Sequence, residues 1–285
     1  MTYLDHAATT PMTTEAVAAM TEQLARVAEN FPGVARGAFE AAVATNFTWG
    51  NTIPEMSAQT IPFFFTEVEQ NRRFPNSEAR RFLDTVTARR AVRSVAWLFT
   101  TNSAIFTSGR KPLVNPEDFR GVKIRGINSL IDQSLTAVGA APAATPAPEV
   151  VGALQSGVLD AGLTDVSAAV SRRFYEVQKY GTVSPFFSVS TQVYVNPRWW
   201  DGLRPEVRAV IEAGLARAEE EAVGVTLRTA EAAVGELRAK GMELVVQTPE
   251  AAARWRDVMQ KPVMDAFLRQ SPENGPRLLE LLRAV

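Results

Sequence analysis

The sequence predicts an α/β fold built on an open sheet, and three observations support this prediction. Residues 116–185 alternate short apolar strand patterns with helical patterns, and one of these strands, Val122–Arg125, ends on a positive charge. Two further runs, Val92–Phe99 and Ser188–Val195, have the β-branched and aromatic composition of buried strands. Pro205–Lys240 carries one long helical pattern. Alternating strands and helices are typical of open sheets, whose ligand sites lie at strand ends.

The other predicted elements follow from the same two periodicities. Strands are predicted where apolar residues run together or alternate, and helices where apolar residues recur every three to four positions. In chain order these elements are a short strand at Tyr3–Leu4, a helix at Thr13–Val27, a helix end and strand at Phe39–Phe47, an apolar cluster at Ile61–Phe65, a helix at Ser77–Arg89, a turn at Pro116–Arg120, two helices around a Pro/Ala-rich link, a last strand at Met242–Val246, and helices at Pro249–Arg269 and Pro276–Ala284.

Composition excludes several classes of function. The chain has 285 residues and 46% hydrophobic content, enough to bury a core. Its 30 basic and 31 acidic residues give a net charge of −1, which argues against a nucleic-acid partner. With no cysteine, disulfides, thiolate metal sites and a cysteine nucleophile are all excluded. No apolar run has the length of a membrane-spanning helix, and we expect no signal peptide at the start of this chain.

Three motifs carry a resemblance to a known family. They are Pro116–Arg125 (PEDFRGVKIR), Ala153–Asp160 (ALQSGVLD) and Arg173–Tyr180 (RFYEVQKY). From about Val34 to the C-terminus, the chain resembles the extracytoplasmic solute receptors of tripartite ATP-independent periplasmic (TRAP) transporters. The resemblance implies a two-lobed periplasmic solute-binding fold with a long helix between the lobes. It also implies binding of a small organic carboxylate, delivery to a membrane permease, a periplasmic location, a monomer, no cofactor and no catalysis.

The resemblance also implies a division into lobes. Residues 31–101 and 190–229 would form the first lobe, and residues 102–189 and 230–285 the second. Residues 1–30 do not fit the family, and about sixty residues with which such receptors begin have no counterpart here. We therefore expect an incomplete first lobe, in which the loss of a central strand leaves ladder groups unpaired.

Arg125 is the leading candidate for a ligand-binding residue. It stands at the carboxyl end of a predicted strand, where open α/β sheets bind ligands. A guanidinium group can donate two parallel hydrogen bonds to a carboxylate. In the family, the arginine at this position holds the ligand carboxylate. From position alone, a solvated arginine at a strand end is an equal alternative.

The family pattern indicates Thr164 and Asp165 as ligand-binding candidates less directly than it indicates Arg125. Many members carry asparagine and proline where this chain has Thr164 and Asp165, so Thr164 is expected to offer a hydroxyl in place of an amide. Asp165 would repel an anionic ligand unless it points away or accepts a hydrogen bond from a ligand hydroxyl or amine. The alternative is that Asp165 caps the helix that begins near Ser167.

Four more residues are candidates for the walls of the cleft. By resemblance, Trp97 and Asn102 end a strand that faces the cleft, and Phe187 and Gln192 lie where the returning strand passes it. Aromatic walls with a few polar tips are typical of small-ligand pockets. The alternative for these strand residues is a place in the core.

Ala104 and Ala147 stand where sialic-acid receptors carry arginine and phenylalanine, which argues against sialic acid as the ligand.

The first residues suggest two competing hypotheses. Tyr3–Pro11 (YLDHAATTP) resembles the start of cysteine desulfurases, which are pyridoxal-phosphate enzymes. Such an enzyme needs a cysteine and a histidine that stacks on the cofactor, whereas this chain has no cysteine and only His6. Desulfurase chemistry is therefore not expected. The other hypothesis is a truncated or fused fragment without function, which would fold poorly and show no response to ligands.

Overall fold

The computed structural model describes residues 31–50 and 52–285, and the strands within these ranges form two sheets. Numbered in chain order, they are β1 (Ala41–Thr45), β2 (Arg93–Thr101), β3 (Ala104–Ser108), β4 (Lys123–Gly126), β5 (Ala141–Ala144), β6 (Ala161–Asp165), β7 (Tyr180–Ser184), β8 (Val189–Val195) and β9 (Glu243–Val246).

The α-helices of the described residues pack on both sheets and connect them. They are α1 (Phe31–Arg36), α2 (Asn46–Gly50), α3 (Val68–Arg73), α4 (Glu78–Ala88), α5 (Ser129–Ala137), α6 (Val150–Gln155), α7 (Val166–Ser171), α8 (Pro197–Gly202), α9 (Pro205–Ala239), α10 (Pro249–Gln270) and α11 (Gly275–Arg283).

The two sheets differ in topology. The first has the order β1-β8-β2, and both pairs are antiparallel. The second has the order β5-β4-β6-β3-β7-β9, in which β4 is parallel to both β5 and β6. Because neighbouring parallel strands end at the same edge, β4, β5 and β6 bring their carboxyl ends together. This edge is where an open α/β sheet binds its ligand.

Two short segments cross between the sheets. Residues 102–103 join β2 to β3, and residues 185–188 join β7 to β8. The first crossing is held by Asn102, whose Nδ2 donates a hydrogen bond of 2.9 Å to the Thr66 carbonyl. At the second crossing, the Phe63 N–H donates to the Phe186 carbonyl at 2.8 Å. The crossings divide the molecule into two lobes, each built on one sheet.

The long helix α9 contacts both lobes, packing on β2 in the first and on α7 in the second. Its 35 residues correspond to about 52 Å of helix. Glu219 anchors its middle to the first lobe, since its Oε1 accepts a hydrogen bond of 2.6 Å from the Trp97 backbone N–H. Burial raises the pKa of Glu219 despite that hydrogen bond and the nearby Arg80. The predicted long helix between the lobes is therefore present.

Aromatic residues dominate the core of the second lobe. The Trp255 side chain is fully buried, and its ring lies edge-on to Phe106 and Phe119, with centroid distances of 4.9 Å to each. Its indole N–H donates to the Val114 carbonyl at 2.8 Å. Phe186 completes the cluster at 5.0 Å from Phe106, which links the crossing segment to the core.

The C-terminal region packs differently from the predicted division. Trp255, in the first half of α10, lies in the second-lobe core, whereas Phe267, in its second half, lies in the first-lobe core. Leu278 and Leu282 of α11 also lie in the first-lobe core. With 22 residues, α10 is about 33 Å long, enough to pass from one core to the other. The assignment of residues 230–285 to the second lobe alone is therefore corrected.

The Pro/Ala-rich link contains a strand that the sequence analysis did not predict. Ala141–Ala144 forms β5, at the end of the second sheet, with Pro142 opposite Ile124 of β4. Proline lacks the N–H needed to donate to a ladder, so an edge strand is where it can be accommodated.

Among the described residues, no helix combines the length and hydrophobicity required to cross a membrane.

Candidate functional site

Arg125 lies at the carboxyl end of β4 and is held by the two neighbouring strands. Its Nε donates a hydrogen bond of 3.2 Å to the Thr145 carbonyl, just after β5. Its Nη1 donates to the Leu163 carbonyl of β6 at 2.9 Å. Nη2 has no hydrogen-bond partner among residues 31–50 and 52–285. The guanidinium is therefore fixed on one side and keeps donors for a ligand on the other.

The charge of Arg125 is not balanced by an acidic neighbour. Burial, and secondly the positive charge of Arg172, lower the pKa of Arg125 to about 10. It stays protonated at neutral pH, because its pKa remains well above 7. Within the described ranges it forms no ion pair with a carboxylate. A partly buried cation of this kind favours an anionic ligand, which would compensate the cost of its desolvation.

Thr164 and Arg172 stand beside Arg125. Thr164 is in β6, and its side chain is 4% exposed. Arg172 follows the last residue of α7, and its Nη1 lies 3.4 Å from Thr164 Oγ1. The short helix α7 reverses the chain and brings residues 164 and 172 together. Arg172 was not among the site residues predicted from the sequence, although it immediately precedes the motif at Arg173–Tyr180.

Asp165 is the N-cap of α7. Its Oδ1 accepts hydrogen bonds from the backbone N–H groups of Ser167 at 2.8 Å and Ala168 at 3.0 Å, and from the Ser167 hydroxyl. These bonds satisfy donors that have no partner within the helix. The arrangement is the capping role that the sequence analysis gave as the alternative to a ligand contact.

Replacing Asp165 by Ala is expected to destabilise the protein by about 1 kcal/mol, because the cap of α7 is lost. Asp165→Ser keeps a capping oxygen and should retain most of the stability. Urea unfolding of both variants measures this difference. If Asp165 also touched the ligand, the serine variant would keep its stability but change the Kd for a carboxylate, and a pure cap predicts no such change.

Asn102 and Phe187 lie in the two crossings between the lobes. Asn102 is 9% exposed and bonds the Thr66 carbonyl, as described above. Phe187 is 3% exposed, and its ring packs against Phe186 at a centroid distance of 5.6 Å. Both side chains therefore belong to the connections between the lobes.

Trp97 and Gln192 are direct neighbours across β2 and β8 in the first lobe. The Trp97 ring is 2% exposed, and its indole N–H donates to Asp84 Oδ1 at 2.9 Å, so the ring would have to move to reach a ligand. Gln192 is fully buried, and neither of its side-chain polar atoms has a hydrogen-bond partner among the described residues. An unpaired buried amide is costly, which makes Gln192 the polar group of this lobe most in need of a partner.

The candidate residues thus form three groups. Arg125, Thr164 and Asp165 lie together at one edge of the second sheet, Asn102 and Phe187 in the crossings, and Trp97 and Gln192 in the first lobe. Two surface depressions, of about 610 and 580 Å³, lie elsewhere. The larger is lined in part by Arg72, Ser77 and Val285, and neither includes Arg125. The candidate site is therefore supported by charge and strand topology and not by the depth of a depression.

Comparison with known protein families shows to which family this chain belongs. Residues 20–270 match the family described as bacterial extracellular solute-binding protein, family 7, also called DctP. The chain belongs to this family. The match begins at residue 20, inside the segment of residues 1–30 that was not expected to fit the family. Residues 1–30 lie outside the described residues, and the comparisons do not support their resemblance to cysteine desulfurases.

Two curated family 7 proteins illustrate the relationship. The C4-dicarboxylate-binding periplasmic protein DctP of Rhodobacter capsulatus is 31% identical over 207 residues, which cover 72% of this chain and 61% of that protein. The protein of the same name from Shewanella loihica is 32% identical over 213 residues, covering 73% and 61%. The chain therefore spans about three fifths of the length of these family 7 relatives.

Solved structures show the same fold. A TRAP periplasmic solute-binding protein of Marinobacter aquaeolei, in an apo open state, superposes with a TM-score of 0.82 at 22% identity, covering 89% of this chain and 84% of that one. A protein of Desulfovibrio salexigens with bound orotic acid gives a TM-score of 0.81 at 23% identity, covering 89% and 81%. The predicted two-lobed α/β fold of the family 7 proteins is confirmed.

Proposed function

We propose that this chain is the solute receptor of a TRAP-type secondary transporter, and that it captures a small organic carboxylate in the cleft between its lobes. The observation that carries the proposal is Arg125, a partly buried guanidinium at the carboxyl end of β4 with donors left free. Known relatives support it. The Rhodobacter capsulatus relative is named as C4-dicarboxylate-binding, and solved structures of the same fold contain β-D-galacturonate, orotic acid and pyroglutamic acid.

The proposed mechanism is a shift between open and closed states. A carboxylate that binds Arg125 in the second lobe would also contact the first lobe, where the unpaired amide of Gln192 is fully buried and would have to become accessible to reach it. A ligand that touches both lobes binds the closed state more tightly and so increases its population. The crossings at residues 102–103 and 185–188, together with α9, would absorb the motion as a hinge.

The remaining parts of the proposal concern the setting in which the receptor works. The receptor acts in the periplasm as a monomer, and its closed form is recognised by the membrane permease to which it delivers the ligand. It binds and releases without changing the ligand chemically. The family description and the name of the Rhodobacter capsulatus relative support the extracytoplasmic location.

A thermal-shift screen of the purified chain against short organic acids tests the proposal. A ligand that binds only the folded state stabilises it by RT ln(1 + [L]/Kd) and so raises the melting temperature. We expect a stabilisation by one or more carboxylates and none by their uncharged amides. Pyridoxal phosphate belongs in the same screen, since a shift with that compound alone would favour the enzyme hypothesis. A chain without a cooperative melt would favour the hypothesis of a non-functional fragment.

A further inference from the structure

Arg172 and Arg125 lie close to each other at one edge of the second sheet. Arg125 Nη1 bonds the Leu163 carbonyl, and Arg172 Nη1 lies within 3.4 Å of the hydroxyl of the next residue, Thr164. The two guanidinium groups therefore approach consecutive residues of the same strand. Arg172 is close enough for its charge to contribute to the lowered pKa of Arg125. This places two cations at the edge where β4, β5 and β6 end.

From this geometry we infer that Arg172 is a second anion-binding residue of the cleft, and that it selects ligands with a second anionic group. The inference rests on the proposed function, because it concerns the same site. It adds a residue that lies outside the three sequence motifs, and a charge requirement for the ligand. A monoanion would balance Arg125 and leave Arg172 without a counter-charge.

Arg125 and Arg172 differ from two nearby arginines, each of which has an acidic partner. Arg173, the residue next to Arg172, forms an ion pair with Glu176. Arg110, at the opposite end of the second sheet, has Asp160 at 3.7 Å. Within residues 31–50 and 52–285, neither Arg125 nor Arg172 has an acidic partner. Two neighbouring cations without an anion repel each other, and the repulsion grows as water is excluded. Closing the lobes would therefore require anionic charge from the ligand.

Among the described residues, Asp165 forms no ion pair with Arg125 or Arg172. Its Oδ1 is occupied by two backbone N–H groups and the Ser167 hydroxyl at the start of α7. Burial and Arg172 are the causes of the lowered pKa of Arg125, and no carboxylate opposes them. The capping role of Asp165 is therefore compatible with two arginines that have no acidic partner, Arg125 at the end of β4 and Arg172 at the end of α7.

Arg172 also has the freedom to reach a ligand. Its side chain is exposed, and its one hydrogen bond within the described residues is the long contact with Thr164 Oγ1. Exchanging that contact for a carboxylate replaces a long hydrogen bond to a neutral hydroxyl with one to a charged acceptor, which is stronger. The exchange releases the Thr164 hydroxyl, which can then donate to the same ligand. Arg125 would hold the first anionic group in a fixed position, and the exposed side chain of Arg172 would bind the second.

The test compares matched ligands that differ by one charge. Calorimetric titration at neutral pH and low salt would use three dicarboxylates (succinate, glutarate and phthalate) and the monoamide of each. The variants are Arg172→Gln, Arg172→Lys and, as a control, Arg110→Gln, which removes one exposed positive charge from the same lobe. The unaltered protein should bind at least one dicarboxylate about tenfold or more tightly than its monoamide, as expected for one charge-assisted hydrogen bond.

Arg172→Gln should remove most of this preference by weakening the dicarboxylate, with the monoamide nearly unchanged. Arg172→Lys should restore part of it, and Arg110→Gln should leave it intact. If Arg172→Gln weakens both ligands of a pair equally or neither, the inference is wrong, while binding of carboxylates through Arg125 still stands. The same holds if the unaltered protein prefers monoanions. If no organic acid binds at all, both the proposed function and this inference fail.

Discussion

Replacing Arg125 by Ala is expected to weaken carboxylate binding on the order of a hundredfold or more. Truncating one partner of a buried, hydrogen-bonded charge pair costs about 2–5 kcal/mol, and each 1.4 kcal/mol corresponds to a factor of about ten in Kd. Arg125→Lys should also bind weakly, because an ammonium group cannot reproduce the two parallel donors of a guanidinium. Calorimetric titration with the best ligand of the thermal-shift screen measures both effects.

The unliganded Arg125→Ala protein should melt close to the unaltered protein. The variant loses hydrogen bonds to the carbonyls of Thr145 and Leu163, worth about 1 kcal/mol each. It also removes a partly buried charge that lies beside Arg172, which offsets this loss. Arg110→Ala is the control for the loss of a positive charge in the same lobe. If Arg125→Ala bound carboxylates as well as the control does, Arg125 would not be the ligand residue.

Replacing Trp255 by Ala is expected to destabilise the protein by about 3–5 kcal/mol, the usual cost of truncating a large buried aromatic residue to Ala. Its ring fills the space between Phe106 and Phe119, and its N–H satisfies the Val114 carbonyl. Urea or thermal unfolding of the unliganded protein measures the loss.

Trp199→Ala is the matched control, because Trp199 is only half-buried and its ring packs mainly on Trp200. The control should lose clearly less stability than Trp255→Ala. Similar losses in both variants would mean that the second-lobe core does not depend on the aromatic cluster around Trp255.

The sequence predicted the fold class because the strongest patterns were long. The helix at Pro205–Lys240 and the strand at Ser188–Val195 are present within a residue or two of their predicted bounds. Short strands were harder to predict. β5 is built from alanine and proline, and β6 contains Gly162, so neither has the β-branched composition that marks a strand. Their pairing with β4 is a tertiary property that local patterns do not contain.

The candidate site could be predicted only in part for a similar reason. Arg125 was found because it ends an apolar strand, and its position at the edge of the parallel strands agrees with that logic. Arg172 was missed because nothing local to it predicts a return to Thr164, eight residues earlier. The capping of α7 by Asp165 could be written only as an alternative, because a cap and a ligand contact use the same carboxylate.

The helix α10 has a mechanical consequence. It carries Pro262 in its interior, between Trp255 in the second-lobe core and Phe267 in the first-lobe core. Proline removes one main-chain hydrogen bond and weakens the helix locally. The freed carbonyl is that of Val258, whose side chain is exposed, so water can replace the lost bond. The helix that joins the two cores is therefore weakest at Pro262, between the residues packed in the second-lobe core and those packed in the first-lobe core, and a rotation of one lobe against the other would bend it there.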